Sequence, residues 1–536
     1  MNSLIAFFFL SQSFLLSISL FLFQFHLAAA QSLRKAKYEY QSTPTVTLAL
    51  ADADADADAT DEILEPPAQV QVAVPKTSLS VPLFQSHNSY HVNMYIGSPP
   101  QRRLVIVDTG SRYLVFPCKP CRNCGKQHFS NDYFDPNISS TDVSNQCVNT
   151  SGSGSSSWIY NVRTGINTNT ETDVDTNINI DIQQCTFQTS SRQQEVCDPR
   201  TGMCQFRQNY AEGSSISGYE MEDIVWFGTD NEEESMKIHM QYAVPLSFGC
   251  QTVETGMIAR QFADGIIGLV EHDGNAVLDM MHDAGVIDHR AFSLCLSKKG
   301  GFLSLGGTAL LNDDENENVA AAAAGTRHRH LETMQMEPLL KGSKYYAVQV
   351  EAVFLGELEI ATKAEVANAF HSNKKGAVID SGSTDSYLPK DLRDHFASAW
   401  MNHHKSVNNS GGGNTDLHQT YTNKMESYTR EAFQKLPNLT IVLKSGYKWV
   451  IEPFSYMEEV RSNGSKVESS SASASDPINY TSDWPAGTET APLLFINRLY
   501  WDEPSGGVFG SNAMVNHDIL FDLENGTIGF AKANCN

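Results

Sequence analysis

The chain has 536 residues, 62 of them acidic and 38 basic, for a formal charge of −24 at neutral pH. That balance excludes nucleic acid as a partner, because no basic stripe is present to neutralise phosphates. A hydrophobic share of 41% is that of a globular protein, and the length is ample for two lobes with a core each.

Residues 4–23, LIAFFFLSQSFLLSISLFLF, are almost wholly apolar and are followed by the small residues Ala28-Ala29-Ala30. Residues 1–30 read as a secretory signal peptide cut near Ala30. Retained, the same run is long enough for a membrane anchor, the one case in which membrane association is expected. Residues 31–81 read as a disordered pro-segment: ADADADADAT, 51–60, has no side chain large enough to build a core.

A first lobe is expected over 82–310. Tyr90 to Ile96 reads as a strand and Gly97 to Pro100 as a turn. Leu104 to Val107 is an unbroken apolar run that suits a strand buried on both faces. It stops at Asp108, and Thr109-Gly110-Ser111 follow as turn residues. Residues 118–204 form an insert with seven of the ten cysteines: Cys118, Cys121, Cys124, Cys147, Cys185, Cys197 and Cys204. Cys250, Cys295 and Cys535 complete an even set, which behind a signal peptide implies disulfides. An oxidising compartment also argues against reading Cys118-x-x-Cys121-x-x-Cys124 as a zinc site. The Gly/Ser- and Asn/Thr/Asp-rich tract at 150–183 reads as a solvated insertion.

Tyr210, Glu212-Gly213-Ser214 and Gly218 read as a hairpin, with Gly218 closing its turn. Asn275 to Gly285 predicts a helix with Val277, Met280 and Met281 on its core face. Strands are expected at 292–296 and 301–307, then a low-complexity linker at 311–335 and a second lobe over 336–536. There, Tyr345 to Leu355 alternates as a strand. Leu392, Phe396, Ala399 and Trp400 share one face of a helix over 391–404. Polar tracts at 405–424 and 460–483 read as surface insertions, and the last strands form a hairpin about Asn525-Gly526. Seven N-x-S/T sequons, at Asn137, Asn149, Asn408, Asn438, Asn463, Asn479 and Asn525, suit glycosylated surface loops.

The stretch Leu104 to Pro117, LVIVDTGSRYLVFP, has a counterpart at Gly376 to Pro389, GAVIDSGSTDSYLP. Each delivers an aspartate to the tip of an apolar strand, then a glycine that allows close backbone approach. The aspartates are 380 − 108 = 272 residues apart, about the spacing of two domain-sized halves. Other catalytic signatures, G-x-S-x-G and H-E-x-x-H, are absent from the sequence.

These paired motifs resemble those of the pepsin-type aspartic proteases over residues 85–536, and most of all the cysteine-rich branch that contains plasmepsin V and nepenthesin. The resemblance implies an all-β, bilobal pepsin-like fold with a few short helices and a disulfide-rich insert in the N-terminal lobe. It implies a monomeric endopeptidase of the secretory pathway (extracellular, vacuolar or in the endoplasmic reticulum lumen) that acts on polypeptides at acid pH. No cofactor or metal is required.

Carried over residue by residue, Asp108 and Asp380 become the catalytic pair. Ser111 and Ser383 hydrogen-bond their outer oxygens, Thr109 and Ser381 bond across to the opposite loop, and Gly110 and Gly382 bring backbone amides close. Thr384 lines the cleft, and Tyr210 with Gly213 belongs to a flap over it. Pepsin holds its flap tyrosine with a tryptophan where this chain has Val115, so this flap has to be held differently. Ala263 to Leu269 and Gly507 to Gly510 match the strands that cross behind the two active-site loops. Basic Arg34, Lys35 and Lys37 suit a removable segment that plugs an acidic cleft, and Cys535 ties the C-terminus back, with Cys250 as its expected mate. Two alternatives share the resemblance: a catalytically silent binding protein like the plant xylanase inhibitors, and a membrane-held processing protease like plasmepsin V.

Overall fold

The computed structural model describes residues 78–86, 89–130, 132–144, 147–150, 157–160, 198, 203–270, 276–308, 330–371, 375–407, 425–460 and 493–536. The expected signal peptide, nearly all of the pro-segment and most of the 150–183 tract lie outside them. So do most of the linker and of the insertions at 405–424 and 460–483, along with Cys185, Cys197 and the side chain of Cys147.

Strand β1, Leu79–Ser86, opens the described fold three residues before the expected start, because Leu79, Val81 and Leu83 alternate into the core. It lies between β2, Ser89–Ile96, and a strand at Gly300–Leu305. β2 is followed by β3, Gln101–Asp108, whose Val105 and Val107 are fully buried. After the aspartate loop comes β4, Leu114–Pro117. The hairpin of β5, Gln205–Asn209, and β6, Ser215–Gly228, leads to β7, Val244–Glu254. β8, Gly265–Gly268, crosses behind the loop, parallel to β3 and antiparallel to β4.

The second half repeats this arrangement. β11, Ala377–Ile379, runs parallel to β13, Gly507–Phe509, and β12, Ser386–Pro389, meets β13 antiparallel. The expected strand at 345–355 is instead two strands, Ala347–Val348 and Val350–Leu355. The first pairs with β11 and the second with Leu439–Leu443, so the chain bends at Gln349 to serve two sheets. Helix α1, Ala276–Asp283, buries Val277 and Met281 and stops before Gly285 at φ +67°. Helix α2, Arg393–Val407, buries Phe396, Ala399 and Trp400, and Leu392 is buried in the 3₁₀ turn ahead of it.

The halves share one sheet. β14, His517–Asp522, and β15, Thr527–Lys532, form the last hairpin, with Gly526 at φ +61° in its loop. β14 pairs with β9, Ala291–Ser297, which belongs to the first half, and β9 pairs in turn with β10, Gly300–Leu305. Phe292 stacks on Phe521 at 4.5 Å, Tyr346 meets Phe521 edge-on at 4.7 Å, and the Tyr346 hydroxyl donates to the Leu269 carbonyl at 2.5 Å.

The disulfides correct one expectation. Cys535 bonds Cys295, and Cys250 bonds Cys118. β4 and β7 run parallel with Phe116 beside Cys250, which brings Cys118 within reach; the β9–β14 pairing leaves Cys295 against Ala533 and Cys535. Cys121 bonds Cys124, so the Cys118–Cys124 run is spent in two disulfides. Cys204 is disulfide-bonded as well. Among the described residues no helix is long and apolar enough to cross a membrane. Asn137, Asn438 and Asn525, three of the sequon asparagines, are exposed.

Candidate active site

The loops after β3 and β11 meet between the halves. Asp108 is buried and Asp380 half-buried. The Gly110 amide donates to Asp108 Oδ1 at 2.8 Å and the Ser111 hydroxyl to Oδ2 at 2.6 Å. The Gly382 amide and Ser383 hydroxyl do the same for Asp380, at 2.9 Å each. The loops are also bonded to one another. The Thr109 amide donates to Ser381 Oγ at 3.1 Å, and the Ser381 amide to Thr109 Oγ1 at 2.9 Å. Each hydroxyl then donates across the interface: Thr109 to the Ile379 carbonyl at 2.9 Å, Ser381 to the Val107 carbonyl at 2.7 Å. Each glycine faces the other half's acid, since a Cβ on Gly110 would lie 2.5 Å from Asp380 Oδ1 and one on Gly382 2.1 Å from Asp108 Oδ1. Burial first, and the Asp380 charge second, hold the Asp108 carboxyl well above the usual carboxylate range, against the pull of Ser111 and Gly110. Thr384 is half-buried, and its carbonyl accepts from the Asn512 amide at 3.2 Å.

Comparison with known proteins agrees with this geometry. Residues 90–307 match the family described as xylanase inhibitor N-terminal, and residues 345–467 the family described as xylanase inhibitor C-terminal. Aspartic protease 5 of Toxoplasma gondii is 28% identical over 263 residues, covering 45% of this chain and 22% of that protein. Probable aspartic protease At2g35615 of Arabidopsis thaliana is 25% identical over 337 residues, covering 60% and 62%. Plasmepsin V of Plasmodium falciparum is 20% identical over 508 residues, covering 83% and 70%. The chain belongs to the pepsin-like aspartic protease family. Its match spans about a fifth of the first of these relatives and about three fifths of the second.

The β5–β6 hairpin carries the residues expected to form the flap. The Tyr210 amide donates to the Ser214 carbonyl at 2.9 Å and the Gly213 amide to the Tyr210 carbonyl at 3.1 Å, with Gly213 at φ +94°. The turn therefore closes at Gly213. Gly218, expected to close it, lies inside β6, where a Cβ would meet the Cys250 carbonyl oxygen at 1.8 Å. Its role is close strand approach. The Tyr210 hydroxyl is buried beside Ser111 without a hydrogen bond, and burial, then the Asp108 charge, push the phenol well above its ordinary range.

Several supporting residues escaped the sequence reading. Asp264, next to β8, accepts from the Leu104 amide at 2.7 Å and from the Ser130 amide and hydroxyl at 2.7 and 2.8 Å, and so pins the strand that carries Asp108. His128 and Glu254, both buried, pair at 3.0 Å, while His128 Nδ1 lies 2.8 Å from the Ala263 carbonyl. A carbonyl only accepts, so Nδ1 carries a proton, and a second proton sits between Nε2 and the carboxylate. Nothing local in the sequence joins residues 126 positions apart.

Proposed function

We propose that this protein is an aspartic endopeptidase that hydrolyses peptide bonds at acid pH with a water held between Asp108 and Asp380. The observation that carries this reading is the mutual placement of the glycines, each set against the opposite half's carboxylate, so that both acids share one small space. Two carboxylates so close hold one proton between them over a wide pH range, as in aspartic proteases generally. The ionised member takes a proton from water, and the oxygen adds to the peptide carbonyl carbon. The protonated member hydrogen-bonds the carbonyl oxygen and gives it a proton. Collapse of the tetrahedral diol passes a proton to the amide nitrogen as the C–N bond breaks. Ser111 and Ser383 keep the acids oriented, and the crossed Thr109 and Ser381 bonds hold the loops in register. Asp380→Asn tests it: hydrolysis of a fluorogenic peptide library is expected to vanish while the melting temperature stays within a few degrees. Retained turnover overturns the mechanism.

The family descriptions matched by both halves favour a second reading, a binding protein without activity. A wild-type chain inert on the same library across pH 2–8 would select it. The apolar leader and the disulfides support a secretory-pathway setting. Release of the protein without detergent distinguishes a cleaved leader from a membrane-held form like that expected by analogy with plasmepsin V.

A further inference from the structure

The hairpin carries Tyr210 without a hydrogen bond to aim its hydroxyl. Its tip is tied to the body at the base, where Ser214 Oγ accepts from the Met257 amide at 2.8 Å, the Ser215 amide donates to Thr255 Oγ1 at 2.9 Å and the Ser215 carbonyl accepts from the Thr255 amide at 2.9 Å. Beyond the neighbouring Ser111 hydroxyl, what orients the Tyr210 ring is packing. The ring sits on a small apolar cluster, separate from the main core, of Tyr113, Val115, Phe206, Ile216, Ile258 and Ile266. Phe206 lies four residues before Tyr210 on the same arm of the hairpin, and both belong to this cluster. Its ring meets that of Tyr113 at 6.2 Å. Two glycines make the room: a Cβ on Gly249 would come within 2.5 Å of the Phe206 ring, and one on Gly268 within 2.4 Å of the Tyr113 amide nitrogen. Arg112 holds Tyr113 in turn, with its guanidinium 4.7 Å over the ring and an N–H donating to the hydroxyl at 2.6 Å.

We propose that Phe206 and Tyr113 are the positioning residues of the flap. They set Tyr210 over Asp108 by ring packing, and Arg112 locks Tyr113 beneath them. This rests on the endopeptidase reading for its kinetic consequence but not for its structural one. A flap aimed by packing is a shutter whose rest position depends on one ring, so loosening that ring weakens capture of the peptide more than the chemical step.

Amide hydrogen exchange of the full chain tests the structural part. Phe206→Ala is expected to speed exchange at residues 210–214 at least about tenfold, with strands of the second half unchanged. Phe206→Leu should restore most of the protection. Gly249→Ala, which keeps the phenylalanine but displaces its ring, should speed the same amides, and it decides the matter should Phe206→Ala fail to fold. On a fluorogenic peptide, Phe206→Ala should raise KM about tenfold while kcat and its pH profile hold within about twofold. Wild-type exchange at 210–214 in both variants, or equal acceleration in both halves, overturns the proposal. So does a fall in kcat with KM unchanged. A wild-type chain that cleaves nothing refutes the endopeptidase reading alone, since the exchange result stands without turnover.

Discussion

Gly382→Ala puts the shared-site geometry at risk with a single methyl group. Its Cβ would lie 2.1 Å from Asp108 Oδ1 and 2.4 Å from the carboxyl carbon. A tolerable carbon–oxygen approach is about 3.3 Å, so about 1.2 Å has to open between the second loop and the first acid. Asp108 cannot retreat cheaply, because it is held at 2.8 Å by Gly110 and 2.6 Å by Ser111. The loop cannot retreat either without stretching the crossed bonds of Ser381 at 2.7 and 2.9 Å. A misplacement of about 1 Å between reacting groups costs about a hundredfold in rate, or about 2.7 kcal/mol of transition-state stabilisation. Single-turnover cleavage of a fluorogenic peptide measures it. Gly285→Ala is the control: that residue has φ +67° but nothing within 4 Å of the new Cβ, so it should lower the melting temperature and leave kcat alone. Wild-type kcat in Gly382→Ala would refute the placement of the two loops.

Ser381→Ala leaves the buried Thr109 amide and Val107 carbonyl without their partner and is expected to cost about 1–3 kcal/mol in urea unfolding, with a fall in kcat; no change in either measurement counts against the crossed bonds. Burial alone would lower the His128 pKa, but the Glu254 hydrogen bond and charge, with help from the Ala263 carbonyl and Asp264, hold it above the ordinary 6.5. A raised pKa stabilises fully below the unfolded value and the benefit is lost as pH rises through the folded one. The melting-temperature gap between wild type and His128→Gln should therefore be widest below pH 6 and narrow above 6.5; a gap constant from pH 5 to 9 refutes it. By the same rule the raised Asp108 pKa works against stability toward neutral pH, so Asp108→Asn should gain on wild type as pH rises from 4 to 8, and a gap that closes instead is the contrary result. Loop-closure entropy gives about 5 kcal/mol for the Cys295–Cys535 bond, spanning 240 residues, against about 2 for Cys121–Cys124, spanning 3; equal shifts of the urea midpoint on removing each would contradict that ordering.

The two aspartate loops were legible because their pattern is local: apolar run, acid, small turn residues, twice over. The crossing strands were legible for the same reason, since Gly265–Gly268 and Gly507–Phe509 need glycine wherever one backbone passes another. Gly218 shows the limit of that rule. A glycine needed for close strand approach and one needed for a turn look alike in sequence, and only the Cys250 carbonyl tells them apart. The mate of Cys535 was misread because register across 240 residues is set by sheet pairing that no short window contains. The packing around Tyr210 was not legible: Phe206 lies only four residues before it, but Tyr113 reaches them through the fold.

The strand Ala291–Ser297 is buried throughout, with Phe292, Leu294 and Leu296 on one face, and its neighbour on one side is supplied by His517–Asp522. Leu294 meets Ile519, 519 − 294 = 225 residues further along the chain. During synthesis that edge stays open for a long interval, sticky and ready to pair with a stranger. A chain cut short before His517 should therefore aggregate through that edge, where the whole chain covers it with its own last hairpin.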